Sequence, residues 1–169
     1  MFDPTVFDHL KVVLEGAIYD LDLGEHFEIV DRSDLVDLAK LSRIYSICLA
    51  KGGIEAVIEL ATDAEGWSGE ILEDGAPYPC ELFVQFYFKV KDADRDLPGI
   101  PFRLNQIWKP YKPKIEQHVA FLYGSKETDF YNHINLIFPD GVDESFIPDI
   151  PRFIGLILET LTALESFAA

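Results

Sequence analysis

The chain is poor in cysteine, methionine, tryptophan and positive charge. Its 169 residues include 2 Cys, 1 Met and 2 Trp, and 14 Lys+Arg stand against 30 Asp+Glu. Two cysteines, Cys48 and Cys80, are too few and too far apart for a disulfide framework or a CxxC redox or zinc motif. Both sit in apolar surroundings and are expected as reduced, buried thiols, which points to a cytoplasmic protein. The formal net charge of -16 argues against binding nucleic acid or an anionic membrane surface, where phosphates call for excess Lys and Arg. No apolar run approaches the roughly 18 residues of a membrane-spanning helix. The N-terminal stretch MFDPTVFDHLKVVLEG has no basic segment ahead of an apolar one, so it does not read as a signal peptide. No Gly/Ser-rich linker, repeat or low-complexity segment divides the chain, and 1–169 is expected to be a single domain.

Apolar residues make up 49%, enough to build a core despite the charge. The charge is unevenly placed. Residues 89–114 hold 7 basic and 3 acidic residues, and the flanking segments are strongly acidic.

Strand patterns dominate. ELFVQFYFKV (81–90) alternates, with Leu82, Val84, Phe86, Phe88 and Val90 facing a core. Phe130–Phe138 places Ile134, Leu136 and Phe138 inward in the same way, and Lys114–Tyr123 forms another strand. Gly52-Gly53 joins Arg43–Lys51 to Ile54–Ala61 as a hairpin, because Gly-Gly supplies the positive φ of a primed turn. Lys11–Leu23 and Ser68–Leu72 also read as strands, with Leu23-Gly24-Glu25 as a turn into Phe27–Val30. Residues 33–50 carry both near-helical spacing of leucines and a strand-like Ile44-Tyr45-Ser46-Ile47; a strand from about Lys40 is predicted. Pro101 opens a short helix, Phe102–Trp108.

The clearest helix is the last. Asp149 or Ile150 caps it, and Pro151 lies in its first turn. Ile150, Ile154, Ile157, Leu161 and Leu164 form its apolar stripe, which Phe153, Leu156 and Leu158 widen beyond what one sheet face requires. The expected fold is α+β: a single antiparallel sheet of six to eight strands with a long C-terminal helix packed on it.

Motifs for chemistry are weak. Asp92, Asp94 and Asp96 resemble the start of a calcium loop, but Leu97 and Arg103 stand where Gly and Glu are needed, so a solvated turn is expected. Asp20 and Asp22 share a strand face in this reading without further ligands. His9, His26, His118 and His133 have no metal-ligand spacing, and no GxSxG or phosphate-loop pattern occurs. No catalytic, metal or cofactor residues are assigned, and an enzyme is not expected. In FRLNQIWKPYKPK, aromatics alternate with cations. Its Trp108, Lys109, Tyr111 and Lys112, with Phe153 and Leu156 of the last helix, form the candidate partner surface. The expected role is a non-catalytic interaction protein of adaptor or chaperone-like type, with a protein partner or a second copy. The competing expectation is a small apolar ligand held between the sheet and the last helix.

Overall fold

The first four strands pair in sequence order, and a swap of order ends the sheet. The computed structural model describes residues 5–22, 27–126 and 129–169. The elements run α1 (Val6–Asp22), β1 (Glu28–Asp37), β2 (Ser42–Lys51), β3 (Ile54–Thr62), α2 (Ala64–Ile71), β4 (Glu81–Val90), α3 (Ala93–Ile107), β5 (Lys114–Phe121), β6 (Phe130–Ile137), a 3-10 turn (Glu144–Asp149) and α4 (Ile150–Leu164). The fold is α+β. One antiparallel sheet of six strands has the order β1-β2-β3-β4-β6-β5, so β6 inserts beside β4 and leaves β5 at an edge.

Gly52 and Gly53 both take positive φ, +58° and +79°, and set the register Lys51↔Ile54 of the predicted hairpin. That register aligns an inward layer of Ile47, Ile58, Val84, Leu136 and Ile115 across five strands. α1, α3 and α4 cover this face. Arg43 of β2 reaches Asp8 of α1, Lys51 of β2 reaches Thr162 of α4, and Gln117 of β5 reaches the Leu97 carbonyl of α3. Ile154, Ile157, Leu161 and Leu164 of α4 are fully buried in the core they share with the sheet, so side chains fill the space between them.

Two expected strands are helical, and so is most of the turn expected at Asp92–Asp96. Lys11–Leu23 lies almost wholly in α1. The short alternation at residues 18–23 is outweighed by a longer stripe, Phe7, Leu10, Leu14 and Ile18, all buried. Thr5 starts this helix, accepting from the Asp8 amide at 3.2 Å and donating to its carboxylate. Asp20 and Asp22 therefore sit two apart on a helix, where they no longer share a face. The turn read at residues 23–25 and His26 lie outside the described residues.

Ser68–Leu72 belongs chiefly to α2, which Asp63 caps by accepting from the Gly66 amide at 2.8 Å. The short helix expected from Phe102 begins earlier, at Ala93. Asp92 caps it, and Asp96 is buried, accepting from the Asp92 amide at 3.0 Å and from Arg95. Two interior prolines, Pro98 and Pro101, are tolerated because Ile100, Leu104 and Ile107 bury the other side. Each such side chain returns about 1.5–3 kcal/mol, against roughly 3 kcal/mol for an interior proline. Residues 33–50 divide into the end of β1, a turn at 38–41 and β2.

Candidate interaction surface

The expected partner surface separates into an inside and an outside. Phe153 is 0% exposed and Trp108 is 1% exposed. The wide apolar face of α4 is covered by its own chain: Phe153 meets Trp108, Phe138, Phe146 and Tyr111 with ring centroids 5.3–5.7 Å apart. The turn after α3 supplies Trp108 and Tyr111, the chain just past β6 supplies Phe138, and the 3-10 turn supplies Phe146. Trp108 is fixed by its indole N–H, which donates to Thr160 Oγ1 at 3.0 Å. Tyr111 and Leu156 are half-buried against the same core, whereas Lys109 and Lys112 are exposed. Trp108 of the basic stretch therefore belongs to the interior and offers no stacking face, while Phe102 and the lysines face solvent.

The opposite sheet face carries none of the three long helices. Glu55, Tyr87, His133 and His118 lie in direct register across four strands on it. The rings of Tyr87 and His133 stack with centroids 4.4 Å apart and planes 9° apart. His118 follows, 5.7 Å from His133. His118 and His133 are thus cross-strand neighbours. Burial holds the His133 imidazole below its ordinary pKa, helped by the nearby His118. An open cleft of about 590 Å³ runs over this row, bordered also by Lys89 and Tyr131. Among the described residues, no three His, Cys, Asp or Glu side chains gather as a metal would need.

The thiols are not activated. Burial, with Glu55 and Asp31 nearby, pushes Cys48 up to about 11. Burial and Glu70 push Cys80 up to about 12. Both are free and buried, and a thiol with a raised pKa is a poor nucleophile at neutral pH.

The far end of β5 and β6 holds the largest exposed side chains of this region. Phe121 is 61% exposed, Leu122 75% and Tyr123 93%, with Val119 and Tyr131 also open. The sequence does signal this patch. Val119-Ala120-Phe121-Leu122-Tyr123 is five apolar residues with no alternation, so one parity cannot be the only apolar side. Leu35, Val36, Leu38 and Leu41 form a second exposed apolar group around the β1–β2 turn. Among the described residues, no helix is long and apolar enough to cross a membrane. No family model, no characterised protein and no solved structure matches this chain.

Proposed function

We propose that this chain is a non-catalytic protein-interaction module of adaptor type, and that it presents the uncovered side and the β5–β6 end of its sheet to a protein partner. The observation that carries this reading is the run Val119–Tyr123. It leaves the helix-covered region and exposes aromatic and aliphatic side chains where a folded chain would usually place polar ones. The net charge of -16 favours a protein partner over a nucleic acid. Free, buried Cys48 and Cys80 fit a reducing, cytoplasmic setting.

The test is comparative capture. Immobilised wild-type protein is set against a Leu122→Gln/Tyr123→Ser variant of equal stability. A protein retained by the first and lost by the second supports the reading. Equal retention by both, or none by either, overturns it.

A second reading has its own observation. The open cleft over Tyr87, His133 and His118 has the size and the stacked rings to take a small planar ligand. Native mass spectrometry of freshly purified protein separates the two readings, since a ligand adds a discrete small mass.

A further inference from the structure

The sheet has two edges, and they are built differently. β1 is interrupted by a bulge between Ile29 and Asp31, and it carries Glu28, Asp31, Asp34 and Asp37 against a single Arg32. A bulge and like charges are the devices that keep an edge strand from pairing with another chain. β5 has neither device. Its register with β6 is unbroken from Lys114 to Phe121, and it holds no proline. Its only formal charges are Lys114 and Glu116, and it follows directly on the one basic stretch of the sequence. For a chain of net charge -16, β5 is the edge at which two copies meet with least repulsion.

We propose that β5 pairs antiparallel with the β5 of a second copy, centred on Gln117, to join two sheets into one. This rests on the interaction reading above and names the partner. The centre follows from strand geometry. Residues directly opposite in an antiparallel pair share one hydrogen-bonding type, so a two-fold axis must pass through a residue and not between two. Centring on Glu116 would set Glu116 against Glu116 and Lys114 against His118. Centring on His118 would set the two histidines together. Centring on Gln117 sets each Glu116 against the second copy's His118, twice over, on the uncovered face. On the helix side it sets Ile115 against the second copy's Val119, which covers one of the exposed side chains of the patch. Cross-strand pairs of this kind are the units that stabilise a sheet.

Eight residues of edge make an interface at the small end of the range, so the dimer forms in a concentration-dependent way. Sedimentation of the full chain over a concentration series reads it. Glu116→Lys and His118→Glu should each weaken association by about tenfold, and the double swap Glu116→Lys/His118→Glu should restore it. Circular dichroism checks that each variant is folded. Mild oxidation of Gln117→Cys should give a covalent dimer, because the two Cα atoms at the centre fall within disulfide range. A wild-type chain that stays monomeric throughout the series overturns the proposal. So does a double swap as weak as the single variants, or a covalent dimer from His118→Cys in place of Gln117→Cys. If the chain stays monomeric and still loses a different captured protein on changing Leu122 and Tyr123, only the self-pairing fails and the interaction reading stands.

Discussion

The indole N–H of Trp108 donates to Thr160 Oγ1 at 3.0 Å in the interior, while the Thr160 hydroxyl donates to the Leu156 carbonyl at 2.7 Å. One hydroxyl on α4 thereby holds the turn after α3 against the helix. Thr160→Val keeps the shape and removes the acceptor, leaving the Trp108 N–H buried and unpaired. The expected cost is about 1–3 kcal/mol, read as a lower urea midpoint with an unchanged slope.

Acid should weaken the contact between α1 and the β1–β2 hairpin. Asp34 accepts from Arg43 and Lys11, and those hydrogen bonds, Arg43 first, hold its carboxyl down at about 2. A carboxyl depressed in the folded state stabilises fully above its unfolded pKa, and that stability is lost as pH falls through the folded pKa. The window therefore runs from about pH 4 down toward pH 2. The site is partly open to solvent, so roughly 1–2 kcal/mol is expected at neutral pH. Asp34→Asn should lose that amount at pH 7 and converge on the wild type near pH 2. A constant gap across the range, measured by urea denaturation at each pH, would count against the ion pair as its source.

The strands that alternate over eight or more residues were legible, and the local competitions were not. β4 has its predicted bounds, since ELFVQFYFKV offers one period only. The Gly52-Gly53 turn and α4 were legible for the same reason: turn chemistry and a long stripe each admit one answer. Residues 11–23 alone favour a strand, because Phe7 and Leu10, which complete the helical stripe of α1, lie before them. The full length of α3 is hidden from local sequence, because Pro98 and Pro101 argue for a break and only the burial of Ile100 and Leu104 outweighs them. The burial of Phe153 is hidden from the pattern of α4, because its cover comes from Trp108, Phe138 and Phe146. Periodicity within α4 carries no information about those residues. The row of Glu55, Tyr87, His133 and His118 needs the strand order β3-β4-β6-β5, which depends on long-range pairing.

Two glycines with positive φ should differ in what substitution costs. Gly141 has φ +65°, and a Cβ there would lie 2.7 Å from the Cys80 carbonyl oxygen, against which Val142 is paired. Gly141→Ala meets both backbone strain and a backbone clash, and should cost about 1–3 kcal/mol. Gly53 has φ +79°, but a Cβ there would meet nothing within 4 Å. Asn tolerates the left-handed region, so Gly53→Asn should change stability by only about 0.5 kcal/mol or less. Thermal melts of the two variants side by side decide it.

Phe153 and Tyr123 mark the two ends of aromatic burial in this chain, and the functional reading turns on the contrast between them. Phe153 is fully buried among four other rings, so Phe153→Ala should cost about 3–5 kcal/mol, much of the stability of an ordinary domain. Tyr123 is 93% exposed at the β5–β6 end. A side chain so exposed contributes little to folding, and Tyr123→Ala should shift stability by no more than about 0.5 kcal/mol. If the patch exists for contact with a partner, the order reverses in a binding measurement: Tyr123→Ala weakens capture while the fold is untouched. Urea midpoints and retention on the immobilised partner, taken on the same two preparations, give both readings. Loss of stability from Tyr123→Ala comparable to that from Phe153→Ala would mean that Tyr123 is held by its own chain, and the patch would lose its claim to be a docking surface.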